Sequence, residues 1–247
     1  MSGDTRVVAW WSQAIMIGAI VAAVLLPLGA LGHRLGVWSF ATGFVFLAGG
    51  AFLSIIVVLG GIAALIVALR TGRKADRPLL YVGLAIGGAI VALMLAQIAT
   101  ARSVPPIHNI STDVADPPSF DVVTGLRGPD SNPVDYDAAK LAPLQQAAYP
   151  RVKPIVSDRT ITESFDRALN VLTGMGLEIV NADHTAGRIE AVATSFWFGF
   201  KDDLVVRVRA RGTGSIVDLH SVSRVGESDL GVNAKRIEEF IDRFNAA

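Results

Sequence analysis

Apolar and charged positions are very unevenly shared along this chain. Three stretches, Val7–Gly32, Leu35–Leu69 and Pro78–Ala101, contain no Asp, Glu, Lys or Arg. A bilayer core of about 30 Å needs roughly 20 apolar residues in a helix. Each stretch is long enough, and together they predict three transmembrane helices at about 12–31, 43–67 and 79–99. Gly49-Gly50 and Gly60-Gly61 interrupt the middle run, so it reads as one tilted helix or as two half-spans; one helix is the simpler reading. The first run also has the alternative of a signal peptide cleaved near "LGALG". Against that, only Arg6 precedes Trp10, and the apolar stretch is too long.

The pattern changes after Ala101. Nine of the eleven prolines fall between Pro105 and Pro154, and proline disfavours regular ladders. Ile107, Ile110, Phe120, Val122, Leu126, Tyr136 and Tyr149 keep this segment too apolar for a free tether. It predicts a packed arm over 104–156. Within "TITESFDRALNVLTGMG", Thr160 and Glu163 have capping-box spacing. Ile161, Phe165, Ala168, Leu169 and Leu172 share one helical face, and Gly174 and Gly176 end it. Short strands are expected at Leu177–Ala182, Arg188–Thr194, Asp203–Ala210 and Ser215–Val222, with "HTAGR" and "RGTGS" as hairpin turns. In the third strand Leu204, Val206, Val208 and Ala210 alternate with Val205, Arg207, Arg209 and Arg211. Ile237, Phe240, Ile241 and Phe244 mark a last helix. The expected fold is three transmembrane α-helices followed by an α+β extramembrane domain over 157–247: helix, four-stranded antiparallel sheet, helix, with both helices on one face.

Charge adds orientation. The connection "RTGRKADRP" holds Arg70, Arg73, Lys74 and Arg77, whereas the first loop has only Arg34 and the exit from the third span only Arg102. Basic loops stay cytoplasmic. The N-terminus is therefore expected in the cytoplasm and the C-terminal domain across the membrane, in the periplasm if the membrane is a bacterial inner membrane. Residues 1–104 carry 7 Lys/Arg and 2 Asp/Glu, and residues 105–247 carry 15 and 20. An acidic domain argues against nucleic acid as a partner. The absence of cysteine removes disulfides, thiolate nucleophiles and Cys-ligated metals.

The spans contain no ionisable side chain of the kind ion or proton transport uses; Gln13 and Gln97 lie near the ends, and His33 is expected in a loop. Gly83 and Gly87 share a helix face that suits close packing, including an oligomer contact. The spans read as an anchor or an assembly scaffold, with the lipid bilayer as partner.

In the second half, "SRVGESDLGVN" joins the last strand to the last helix. Ser228 or Asp229 suits the first free amides of that helix. Arg224 either pairs with Asp202 or Asp203 as a structural ion pair, or joins Ser228, Asn233 and Arg236 in binding an anion at the helix N-terminus. In "SFWFGFKDDL", Phe196, Trp197 and Phe198 either complete the core or form an apolar contact with bilayer, ligand or partner. Asp202 and Asp203 are adjacent, so a strand sends them to opposite faces, which makes them a poor acid–base pair with each other or with Glu190. His108, His184 and His220 lack metal-ligand spacing, and the pair His220-Ser221 lacks a nucleophile elbow. No nucleotide-binding glycine motif occurs. No cofactor, metal or catalytic residue is assigned.

"PPIHNISTD", "PPSF", "AYP", "FGFKDDLVVRVR" and "SRVGESDLGVNAKRIEEF", in that order, resemble the signature blocks of the "domain of unknown function 1499" family over Val104 to Phe244. The resemblance implies a membrane-associated protein, often of the bacterial envelope, with related domains in photosynthetic eukaryotes. It supplies no agreed activity. The expected function is an inner-membrane-anchored protein whose periplasmic domain is a binding or assembly module. A lipid headgroup, a small anion or another envelope protein are its expected partners. The alternative is an envelope hydrolase using Asp202, Asp203, His220, Arg224 and Asp229.

Overall fold

The computed structural model describes residues 7–246, so Arg6 lies outside the described residues. The chain forms two compact units. One runs to Ala99 and includes Trp197–Gly199; the other holds Thr100–Phe196 and the chain from Phe200 onward.

The first unit is built on long helices: α1 (Trp10–Arg34), α2 (Phe40–Arg70) and α3 (Arg77–Ser103). All three are long and apolar enough to cross a membrane. They contain the expected spans and run a few residues beyond them at both ends. The middle run is one helix of 31 residues, and His33 belongs to the last turn of α1, not to a loop. Glycine sets how closely the helices approach. A Cβ on Gly29 would meet the Gly43 carbonyl at 2.6 Å, and one on Gly43 would meet the Gly29 carbonyl at 2.7 Å. The Gly83/Gly87 face, expected to be available to a second copy, is turned inward. Added Cβ atoms there would meet Ile15 of α1 at 3.0 Å and Val57 of α2 at 2.9 Å.

The second unit contains β1 (Asn109–Ser111), α4 (Ala138–Ala148), β2 (Ile155–Ser157), α5 (Ile161–Gly174), β3 (Glu178–Asp183), β4 (Arg188–Thr194), β5 (Lys201–Arg211), β6 (Gly214–Ser223) and α6 (Val232–Asn245). The capping box at Thr160 and Glu163 forms in both directions. The sheet has six strands rather than the expected four, in the order β1-β6-β5-β4-β3, with β2 also on β6. All pairings are antiparallel. The extra strands come from the proline-rich arm. Three-residue pieces at Asn109–Ser111 and Ile155–Ser157 add to the open edge of β6, pairing Asn109 with Val222 and Ile155 with Val217. Pieces this short have no periodicity of their own, because the neighbouring long strand supplies their register.

One face of the sheet is apolar. Leu204, Val206 and Val208 of β5 with Val217 and Leu219 of β6 pack on Phe165, Ala168 and Leu172 of α5 and on Ile237, Phe240 and Phe244 of α6. Ile107 and Ile110 of the arm join this core. Ile161 does not, at 38% exposed. Val122 and Leu126, expected to anchor the arm, are likewise exposed, and Val123 between them is the buried residue.

Candidate functional site

Strand alternation places a different set of side chains on the opposite face: Glu190 of β4, Asp203, Arg207 and Arg209 of β5, and Asp218 and His220 of β6. Glu190, Asp203 and Asp218 are fully buried and His220 nearly so. They are covered by residues 113–132 of the arm, which includes a short 3-10 helix at Val122–Leu126. Burying charges is costly unless each finds a partner, and here the partners come from the arm and from neighbouring strands.

Glu190 accepts the Asp121 amide at 2.5 Å on Oε1 and the Val122 amide at 2.8 Å on Oε2, at the start of that 3-10 helix. Arg207 and Arg209 form a cluster with Asp218 and two arm aspartates. Arg209 Nη2 lies 2.7 Å from Asp218, while Arg207 Nη1 and Arg209 Nη1 lie 3.0 and 3.2 Å from Asp116. Arg207 and Arg209 also reach Asp113, at 3.5 and 3.3 Å. His220 sits between the Pro118 carbonyl, 2.8 Å from Nδ1, and Asn109 Oδ1, 2.6 Å from Nε2. Phe120 lies against its ring at 4.9 Å. Burial pushes the imidazole down to about 4, against the upward pull of the Pro118 hydrogen bond and the Asp135 charge.

The two adjacent aspartates part as alternation requires. Asp203 turns to the arm side, where Arg224 grips it with Nη2 at 2.8 Å and Nε at 3.1 Å, and Arg127 of the arm donates to its other oxygen. Burial pulls the Arg127 guanidinium below its usual range, and Asp203 pulls it back. Asp202 turns to the helix side, where Arg236 of α6 donates to it at 2.8 Å. Arg224 therefore pairs with Asp203 and not with Asp202. Its remaining donor, Nη1, goes to the Leu126 carbonyl at 2.8 Å.

The other residues of the strand-to-helix turn are engaged within the domain too. Asp229 accepts the amides of Gly231 and Asn233 at 2.8 and 2.7 Å, and so caps α6. Burial raises its carboxyl above the usual range, and the two amides work against that rise. Ser228 Oγ accepts the Leu230 amide at 3.3 Å. Gly231 takes a left-handed φ of 79° at a place where a Cβ would sit 3.1 Å from the Tyr149 hydroxyl. Buried Asn233 donates to the His108 carbonyl and to Ser223 Oγ, and its Oδ1 accepts from Ser221 and Arg236. Asn132 of the arm closes the turn from outside: its backbone amide reaches the Arg224 carbonyl at 2.7 Å, and its side chain reaches the Gly226 carbonyl at 2.8 Å.

Asp202, Asp203, His220, Arg224 and Asp229 thus divide among hydrogen-bonded groups: Asp203 with Arg224, His220 with Pro118 and Asn109, and Asp202 and Asp229 joined through Arg236 and Asn233. Among the described residues no His/Asp/Glu group is arranged to hold a metal ion. One concavity, about 680 Å³, is an open groove along α5 and the end of α6 that includes Arg159, Asp166, Arg167 and Arg243. Phe196 and Trp197 are 73% and 55% exposed, and neither they nor Phe198 enters the α+β core.

The role of the arm was missed from sequence. Arg127, Asn132, Asp113, Asp116 and Asp121 stand in a proline-rich stretch, and nothing local indicates which buried charge each one meets. One signal was available: a strand with arginines on its polar face, lying beside acid-rich segments.

Among curated proteins, none is similar enough to this chain to match it. The model of a family described as "Protein of unknown function (DUF1499)" matches residues 109–244, a span that takes in β1 through α6 and every ionic contact of the arm face. The chain belongs to the DUF1499 family.

Proposed function

We propose that this chain is an inner-membrane-anchored protein whose α+β domain faces the periplasm and works as a binding or assembly module of the cell envelope. One observation carries the reading: Asp202, Asp203, His220, Arg224 and Asp229, the residues of the hydrolase alternative, are all engaged inside the fold. Asp203 is neutralised by two arginines and Asp202 by Arg236, Asp229 accepts helix amides, and His220 is buried between two oxygens. General acid–base catalysis needs such groups within reach of a substrate. The same accounting applies to the expected anion site, since Arg224, Ser228, Asn233 and Arg236 already have partners. It favours a brace at this corner.

The basic α2–α3 connection supports a cytoplasmic N-terminus, and a periplasm-active reporter fused behind α3 should be active. Native mass spectrometry of the detergent-purified chain should retain a lipid, a small anion or a second protein. Turnover of an ester, phosphate or glycoside substrate, abolished by Asp203→Asn in a variant that stays folded, would overturn the proposal.

A further inference from the structure

The β4–β5 connection sets three aromatics in a row, Phe196, Trp197 and Phe198, followed by Gly199. Its own backbone closes it: the Phe200 amide donates to Ser195 Oγ at 2.9 Å, and the Ser195 amide to the Phe200 carbonyl at 2.8 Å. Gly199 takes the left-handed φ of 69° that the bend requires. A turn closed in this way needs no large apolar side chains, yet it exposes Phe196 and Trp197 by 73% and 55%.

Trp197–Gly199 group with the helical unit. Within that unit Phe198 stacks on Phe44, with ring centroids 5.3 Å apart, and lies 6.1 Å from the ring of His33. His33 is in the last turn of α1, and Phe44 lies one turn into α2. Four residues of helix rise about 6 Å, so Phe198 sits level with the first turn of a membrane-length helix. That is the depth of the headgroup–acyl boundary, where Trp and Phe are favoured. Other side chains at this end fit the same layer. Leu35 and Val37 of the α1–α2 connection are 76% and 66% exposed, and Trp38 stacks on Phe46 with its indole N–H on the Gly29 carbonyl at 3.0 Å. Ser195–Phe200 carries no charge of its own.

We propose that the β4–β5 tip is an interfacial membrane anchor: the rings of Phe196 and Trp197 lie among lipids, in the leaflet that holds the α1–α2 connection. This rests on α1–α3 spanning a bilayer. Lipid is favoured over a protein partner because the large apolar side chains most exposed here, Leu35, Val37, Phe196 and Trp197, come from two separate connections, as a rim facing a fluid layer does.

The chain has no cysteine, so a single introduced thiol can carry a spin label on the full-length protein in vesicles of phosphatidylethanolamine and phosphatidylglycerol. At Phe196→Cys, oxygen, which partitions into lipid, should relax the label several-fold more than a water-soluble nickel complex does. At Thr213→Cys, in the exposed β5–β6 turn, the order should reverse. A label at Phe196→Cys that meets nickel freely would overturn the anchor, and so would one shielded from both reagents, which would be covered by protein. Ile56→Cys, half-exposed in the middle of α2, tests the spans themselves. Nickel access there would sink the membrane reading as a whole; lipid access there with nickel access at 196 would sink only the anchor. If the label disturbs the turn, a chain with Trp10, Trp11 and Trp38 changed to Phe leaves Trp197 as sole reporter. Its fluorescence should be quenched by brominated phospholipid, and quenching by iodide alone would overturn the anchor.

Discussion

On the helix side of the sheet, Leu204, Val206 and Val208 of β5 meet Phe165, Leu172, Ile237 and Phe240. On the other side, Asp203, Arg207 and Arg209 of the same strand meet an irregular arm through ion pairs and carbonyls. Both sides are buried, but the forces differ. The helix face gains from removing apolar area from water, a non-directional effect that tolerates approximate fit. The arm face gains little net energy from its charges, because desolvation offsets attraction. What it gains is position: each buried charge holds a fixed set of partners at fixed places, so the arm has one register.

The largest effect should come from the helix face. Phe240 is fully buried, and Phe240→Ala should cost about 3–5 kcal/mol. Hydrogen–deuterium exchange on the full chain in detergent should show protection falling across α5, α6 and β4–β6 together. A loss confined to α6 would mean that this face is not one cooperative core.

The arm face should fail differently. Asp203→Asn leaves Arg127 and Arg224, which are 6% and 12% exposed, without their counter-charge. Losing one partner of a buried pair costs about 3 kcal/mol or more. The exchange should concentrate in 127–132 and 223–226, the segments that Asp203, Asn132 and Arg224 tie together, while α5 keeps its protection. Equal loss in both regions would erase the distinction between the faces.

The same contrast explains what could be read from sequence. The helix face announces itself through local periodicity: Phe165, Ala168 and Leu172 at helical spacing, and Leu204, Val206 and Val208 at strand spacing. The corner at "SRVGESDLGVN" was also legible as a strand-to-helix turn, because Gly226, Asp229 and Gly231 carry turn and cap chemistry within a few residues. Its main ties were not. Arg127 reaches Asp203 across 76 positions, and Asp121 reaches Glu190 across 69. An ion pair leaves no periodic trace in either segment. The short strands β1 and β2 were hidden for a related reason, since their pairing depends on β6.

Acid should act on the arm face through His220. The His220 ring is pushed down to about 4 from an ordinary 6.5, so between those values the unfolded chain binds a proton that the folded one refuses. The stability is fully present above pH 6.5 and falls as the pH drops toward 4. At about 1.4 kcal/mol per pH unit, the loss approaches an order of 3 kcal/mol. Denaturation at stepped pH should show this slope in the wild type and a flatter one in His220→Gln. An unchanged slope would mean that His220 takes up its proton without releasing the arm.

The smallest effect separates buried latches from decorative ones. Asp116 bridges Arg207 and Arg209, but it is 66% exposed, and Arg207 also holds the Asp116 backbone carbonyl at 2.7 Å. Water screens such a pair, and neither arginine loses its only partner, because Asp218 stays beneath both. Asp116→Ala should therefore cost about 0.2–1 kcal/mol. The cost should shrink further in high salt, where the Debye length falls to a few ångströms, whereas the cost of Asp203→Asn should stay nearly constant. The informative quantity is the ratio between the two, taken from exchange in residues 113–132. If Asp116→Ala loosens the arm as much as Asp203→Asn does, summed surface charge holds it. If only the buried substitution does, the arm is held by a few fixed points whose register the fold dictates.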